Sequence, residues 1–164
     1  MMAERLLKIV TSGGVAILTA LIAYANIRDP GPNLTYLTHV LTMDTIPPES
    51  VMAAHAVHDA AIHNAIFATI VAGEAATAVL FAAGTVELWR SRNAKARVFH
   101  KAKRFVFMGA ACGFLVWFVG FAAIGGEWFA MWQSPVWNGQ QPAFRFYIAL
   151  LLIATLVAQP DAEF

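Results

Sequence analysis

Four apolar stretches constrain what this chain of 164 residues can fold into more than any other feature. A bilayer core about 30 Å thick requires about 20 predominantly apolar residues in a helix. We predict membrane spans at residues 6–27, 66–86, 105–124 and 144–158. The composition agrees, because 59% of residues are hydrophobic and 13% are charged, whereas soluble domains average about 25% charged residues. The sequence therefore predicts a single all-α integral membrane domain, a four-helix transmembrane bundle.

The positions of the basic residues predict the orientation of these spans. Most of the 11 lysines and arginines lie before the first span or between the second and the third. Because lysine and arginine in short loops favour the cytoplasmic side, we expect both termini to be cytoplasmic. The two longer connections, residues 28–65 and 125–143, should then face outward. The net charge of +1 lacks the basic excess of nucleic-acid-binding proteins, so no nucleic acid is expected as a partner.

The first outer connection contains signals for further helices. Asn33 follows a proline-rich turn and is a candidate N-cap. The apolar residues of 34–43 recur at helical spacing, which predicts a short amphipathic helix lying in the outer interface. From Glu49 to Trp89 no residue forces a break, and a continuous helix over these residues would be about 60 Å long. Residues 51–63 should then extend outward or bend over the interface.

Several short motifs in the chain resemble those of a bacterial family of predicted small integral membrane proteins, known only as a domain of unknown function. The motifs are His39–Thr45, Gly73–Ala75, Met131–Ser134, Trp137–Gln140 and Ala143–Arg145. The Trp-Asn-Gly-Gln motif is the most specific of them. The resemblance implies four transmembrane helices in a bacterial inner membrane, and it implies no established activity. The chain departs from the family pattern before the second span, where histidines of 55–59 replace an expected arginine-containing stretch.

Glu74 is the strongest candidate for a functional residue, because it is the one charged residue inside the second predicted span. A carboxyl group roughly 12 Å below the end of a span is costly and marks a functional site by default. It could be protonated and donate a hydrogen bond, or it could pair with Arg145 at the start of the fourth span. It could also contact a ligand or carry a proton, which would suit a small transporter with Glu74 as its coupling group.

Four histidines on the outer side form a candidate metal site. On a continuous helix His55, Asp59 and His63 would share one face, while His58 and His39 lie nearby in the same connection. Imidazole and carboxylate ligands at such spacing favour copper or zinc, and copper is the preferred candidate here. The alternative is that these histidines face water or head groups. Haem is less expected, because spans one, three and four carry no histidine in their cores.

Three tryptophans, Trp128, Trp132 and Trp137, lie within the second outer connection. Amphipathic rings of this kind anchor a protein at the head-group layer. They could also line a pocket for a quinone, a lipid or another apolar molecule, or contact another protein. Together with Glu74 and Arg145 they form the predicted binding site.

Small residues in the third span predict close helix packing. Gly109 and Gly113 make a small-xxx-small match, which lets two helices approach closely. The match does not distinguish packing within one chain from packing between two copies. Cys112, the single cysteine, excludes an internal disulfide and sites with several cysteines.

The chain lacks the motifs of phosphate-binding glycine loops and of catalytic triads. We therefore expect that the protein has no catalytic activity of its own. The leading hypothesis is an accessory or assembly subunit of a larger inner-membrane complex. Its outer connections would contact another membrane subunit or a second copy of the chain. The alternatives are a copper-binding or quinone-site redox protein using the outer histidines, and the small transporter described above.

Overall fold

The computed structural model describes residues 2–162, and within that range it contains helices and no strands. The predicted all-α fold is confirmed. The helices are α1 (Met2–Arg28), α2 (Gly31–Thr42), α3 (Ala60–Arg90), α4 (Ala96–Ala102), α5 (Arg104–Phe114), a π-helix (Leu115–Trp128) and α6 (Gln140–Ala158). Single turns of 3₁₀-helix lie at Val51–His55 and Met131–Gln133.

Four continuous helical segments are long and apolar enough to cross a membrane. They are α1, α3, the run from α4 through the π-helix, and α6. Each of the predicted spans lies inside one of these segments, and the segments extend beyond the predicted limits. In the bundle α1 packs along α3, α3 packs along α5, and α6 packs against α5 and the π-helix.

The two glycines of the third span contact other helices of the same chain. A Cβ atom on Gly109 would lie 2.7 Å from a ring carbon of Phe81 in α3. A Cβ atom on Gly113 would collide with Leu150 of α6. The small-xxx-small match therefore serves packing within this chain, where it lets α5 approach α3 and α6 closely.

A buried ionic cluster closes the end of the bundle at which α1 begins and α6 ends, which we call the basic end. Asp161 lies between two lysines: its Oδ1 is 2.8 Å from Lys8 Nζ and its Oδ2 is 2.5 Å from Lys103 Nζ. Both lysines also donate to the carbonyl oxygen of Gln159, at 2.6 and 2.9 Å. The side chains of Lys8, Lys103 and Asp161 are no more than 3% exposed. These contacts fasten residues 159–162 to α1 and to the start of α5.

Arg5 fastens a second part of the basic end. Its guanidinium donates to the carbonyl oxygens of Arg92 and Ala94, at 2.9 and 2.6 Å, and lies 4.6 Å from the ring centroid of Phe99. It also donates to the carbonyl oxygen of Ala162. The turn between α3 and α4 is thereby held against the first turn of α1.

The Asp161 carboxyl is stabilised in its ionised form. Burial alone raises the pKa of this group, but hydrogen bonds from Lys103 and Lys8 and their positive charges outweigh burial and hold the pKa below its ordinary value. A carboxylate of this kind stabilises the folded state above its unfolded pKa, and that contribution is lost as the pH falls through the folded pKa.

Replacing Asp161 by Asn should destabilise the folded protein by about 3 kcal/mol or more, because two buried ammonium groups lose their counter-charge. The measurement is chemical unfolding in detergent at neutral pH. Asp29→Asn is the matched control, because Asp29 is exposed, and it should unfold like the wild type. The difference between wild type and Asp161→Asn should narrow in acid; a difference that is the same at every pH would contradict this role of Asp161.

Candidate functional site

We call the opposite end of the bundle, at which α1 ends and α6 begins, the aromatic end. The helix α2 lies at this end. Pro30 occupies the N-cap position of α2, so the expectation that Asn33 caps this helix is wrong. Proline fits the start of a helix because its fixed backbone angle suits a helix and it lacks an N–H to satisfy. Asn33 instead lies within the first turn and donates from Nδ2 to Oδ1 of Asn26, at 2.5 Å.

The segment between α2 and α3 is not helical throughout, so the residues from Glu49 to Trp89 do not form one continuous helix. Asp59 caps α3 by accepting a hydrogen bond from the Ala61 N–H at 2.7 Å. Two residues earlier, the Val57 N–H donates to the carbonyl oxygen of Leu41 at 2.8 Å, which ties this segment to α2. These two bonds replace helical ones, and His55 therefore does not share a helical face with His63.

Glu74 lies near the middle of α3 and is 3% exposed. Asn26, near the end of α1, donates from Nδ2 to Glu74 Oε2 at 2.7 Å. Asn33, Asn26 and Glu74 thus form a chain of hydrogen bonds that joins α2, α1 and α3. The side chain of Arg145 is exposed, and it makes no ion pair with Glu74 within the described residues. The ion pair between Glu74 and Arg145, one of the alternatives raised by the sequence, is therefore not formed.

Glu74 lines a cavity of about 270 Å³ between α1, α2, α3, the π-helix and α6. The polar lining consists of Glu74 with asparagines 26, 33 and 138 and Tyr36, and the aromatic lining includes Phe67, Trp117, Phe121 and Phe146. A second cavity of about 470 Å³ shares Tyr36, Leu37, Ile70 and Phe121 with the first. The two cavities therefore adjoin, and the one with Glu74 is the more polar.

The second cavity, which we call the apolar cavity, lies between α2, the first half of α3 and the π-helix. Leucine, isoleucine, valine and methionine side chains form most of its wall, with Gly120 and Gly125 of the π-helix and Cys112 of α5. A π-helix is wider than an α-helix and is frequently found at functional sites. Here its glycines leave space beside α3 that larger side chains would fill.

Tyr36 links α2 to the connection between the π-helix and α6. Its hydroxyl donates to Met131 Sδ at 2.9 Å, and the Gly139 N–H donates to the same sulfur at 3.3 Å. Burial raises the pKa of Tyr36 to about 12, although a backbone hydrogen bond at Gly139 acts in the opposite direction. A Cβ atom on Gly139 would collide with Tyr36 Oη. The close approach of Tyr36 therefore explains why Gly139 of the Trp-Asn-Gly-Gln motif is a glycine.

The three predicted tryptophans lie outside both cavities, within the part of the chain that the structure describes. The ring of Trp137 stacks on that of His39 with centroids 4.5 Å apart, and Trp128 stacks on His55 at 4.3 Å. Trp132 is 55% exposed. The structure thus pairs two of the tryptophans with two of the predicted metal ligands.

The four predicted histidines are not gathered at one point. His39 Nδ1 is 2.7 Å from Asp44 Oδ2, His55 Nδ1 is 3.0 Å from the carbonyl oxygen of Trp128, and His58 is exposed. His63 is buried, with its Nε2 2.8 Å from the carbonyl oxygen of Val57. Residues 2–162 contain no group of three or more His, Cys, Asp or Glu side chains that could hold a metal ion. The metal site stays a prediction, and the placement of the histidines gives it no ligand set.

Trp117 and Asn26 are among the residues of the site that sequence reasoning missed. Trp117 lines the cavity of Glu74 and is 3% exposed, but a tryptophan inside an apolar span carries no periodic signal that separates it from a lipid-facing one. Asn26 interrupts the first apolar stretch, and this polar residue near the end of a span was the available signal for a partner of Glu74.

This geometry defines an integral membrane protein with four long apolar helices and a half-open cavity near one end. Residues 4–160 match the family described as "Predicted small integral membrane protein (DUF2165)", and the chain belongs to that family. The resemblance found in the sequence is thereby confirmed. No curated protein and no solved structure matches the chain significantly. The family description names no activity, so a function has to be argued from the site.

Replacing Gly139 by Ala should destabilise the aromatic end, because the added methyl group collides with Tyr36 Oη. Overpacking of this kind costs about 1–3 kcal/mol. The measurement is the free energy of unfolding for Gly139→Ala, Tyr36→Phe and the double variant. Because Tyr36→Phe removes the colliding oxygen, the double variant should be more stable than the sum of the two single effects. Strictly additive effects would contradict the contact.

Proposed function

We propose that this protein binds an apolar small molecule with one polar end inside the membrane. The observation that carries the proposal is the position of Glu74, a buried carboxyl group on the wall of a cavity that adjoins a larger apolar cavity. Ligand sites commonly combine apolar walls with a few convergent polar groups. The polar end of the ligand would lie at Glu74 and Asn26, and its apolar part in the apolar cavity.

The hydrogen-bonding state of Glu74 supports the proposal. Asn26 donates to Oε2, and Oε1 has no hydrogen-bond partner among the described residues. Oε1 is not among the fully buried polar atoms that lack a partner, so it is accessible from the cavity that Glu74 lines. A ligand could therefore contact Oε1, which gives the cavity a specific recognition group as well as apolar volume. The transporter hypothesis likewise gives Glu74 a ligand-contacting role.

Filling the apolar cavity tests the proposal. A Cβ atom on Gly120 meets only one atom within 4 Å, at 3.6 Å, so Gly120→Leu should fold and occupy cavity volume with its side chain. We expect an apolar molecule to copurify with the wild type in stoichiometric amount and to be lost from Gly120→Leu. The measurement is mass spectrometry of the intact protein released from mild detergent.

Gly14→Leu is the matched control, because Gly14 is exposed on α1 with nothing within 4 Å of an added Cβ atom. It should retain the molecule like the wild type. Equal retention by wild type, Gly120→Leu and Gly14→Leu would show that the molecule binds elsewhere and would contradict the proposal.

A role as an accessory or assembly subunit is the second candidate, and it is supported by exposed side chains at the aromatic end. Trp132 is 55% exposed and Val136 is 66% exposed. Tryptophan is enriched in the energetically important parts of protein interfaces. A second membrane subunit, or a second copy of this chain, could cover these side chains. Stoichiometric copurification of a partner with the wild type, and its loss from Trp132→Ala, would support this role.

The proposed orientation places the basic end in the cytoplasm and the aromatic end outside a bacterial inner membrane. Lysine and arginine in short connections support this orientation. In the structure the α3–α4 turn, with Arg90, Arg92 and Lys95, lies at the basic end. Glu74 and its cavity would then lie toward the outer leaflet.

A further inference from the structure

The charge of the cavity wall restricts the class of ligand. Among the described residues that line the two cavities, Glu74 is the one charged side chain, and no lysine, arginine or histidine accompanies it. Removing a carboxylate from water without a paired cation is costly. The counter-charge that an ionised Glu74 requires is therefore absent from these lining residues, and a ligand could supply it.

Burial favours the neutral form of the Glu74 carboxyl group, and the hydrogen bonds directed at it oppose that effect. Asn33 donates to Asn26, and Asn26 in turn donates to Glu74 Oε2. Both ends of the Asn26 amide are thereby satisfied, and the chain of donors ends on the carboxyl group. An ionised carboxylate is purely an acceptor, so donors directed at it stabilise the charge.

Aromatic rings surround the same cavity. Tyr36, Phe67, Trp117, Phe121 and Phe146 all line it together with Glu74. The faces of such rings attract a cation electrostatically. They do not replace the oxygen ligands that a hydrated inorganic cation requires. Carboxylate and aromatic groups together therefore favour a cation that is itself partly apolar.

We infer that the ligand is a lipophilic organic cation, whose positive centre pairs with Glu74 and whose apolar part occupies the aromatic-lined and apolar cavities. The inference rests on the proposed binding function and narrows its ligand class. When the cation binds to a protonated Glu74, one proton leaves the carboxyl group for solvent, so the net charge in the cavity does not change.

The exchange of a proton for the cation predicts a pH dependence. The other titratable side chains on the cavity walls, within the described part of the chain, are Tyr36 from α2 and Cys112 from α5. Tyr36, with a pKa of about 12, stays neutral near neutral pH, and α1 contributes the uncharged Asn26. Protons should therefore compete with the cation at Glu74.

Two probes of matched shape test the inference: benzyltrimethylammonium and its uncharged carbon isostere, neopentylbenzene. The full chain in lipid nanodiscs is titrated with each probe by calorimetry, with protein-free nanodiscs subtracted. We expect the wild type to bind the cation about tenfold or more tightly than the isostere, because ion pairing and cation–π attraction act on the cation alone.

Glu74→Gln should reduce this preference to the part that cation–π attraction supplies, while keeping an acceptor for Asn26. Glu49→Gln should retain it, because Glu49 is exposed and lies outside both cavities. Equal binding of the two probes by the wild type would overturn the cation inference and leave the proposed binding function standing. Failure of both probes to bind would contradict the inference and the proposed function together.

The wild type alone provides a second readout that does not depend on how a variant folds. If one proton is exchanged, the affinity for benzyltrimethylammonium should fall toward a limit of about tenfold per pH unit as Glu74 becomes protonated. The affinity for neopentylbenzene should not change over the same range. A cation affinity that is independent of pH from neutral to acid would overturn the inference.

Discussion

Unsatisfied polar groups are costly in the hydrocarbon layer of a membrane, and this constraint orders the whole structure. Along α1, the rise from Lys8 to Asn26 is about 27 Å, close to the thickness of a bilayer core, about 30 Å. Lys8 meets Lys103 and Asp161 at one level, and Asn26 meets Glu74 at the other. The side-chain hydrogen bonds that join α1 to the other described parts of the bundle thus lie at the two levels that bound an apolar layer. Glu74 belongs to the upper level, so its depth is set by Asn26.

The same arrangement explains why the cavities form at the aromatic end. α1 ends at Arg28, shortly after Asn26. α3 begins at Ala60, so several turns of α3 lie between Glu74 and the aromatic end. The shorter helix α2 covers this part of α3, with Leu37, Val40 and Leu41 buried. α2 and the π-helix lie on two sides of this part of α3. Because the π-helix carries glycines where larger side chains would fill the space, an apolar cavity remains between the three helices. A buried carboxyl group therefore comes to lie beside unfilled apolar volume.

The sequence predicts the helices better than it predicts their contacts. Long apolar stretches are a local signal, and the stripe of Leu37, Val40 and Leu41 is another, so the spans and α2 could be read directly. The partner of Glu74 lies 48 residues away, and no local pattern connects two such positions. The histidine face failed for a related reason, because a tertiary hydrogen bond from Val57 to Leu41 ends the helix that the spacing assumed.

The central claim is that a ligand occupies the cavity with its charged end at Glu74. The most direct measurement is an experimental structure of the protein with 4-bromobenzyltrimethylammonium, in which anomalous scattering locates the bromine. The account predicts bromine within the adjoining cavities and the ammonium centre beside Glu74, within about 6 Å of an aromatic ring centroid. A bromine signal confined to the outer surface of the bundle, with both cavities occupied by protein side chains, would contradict the account.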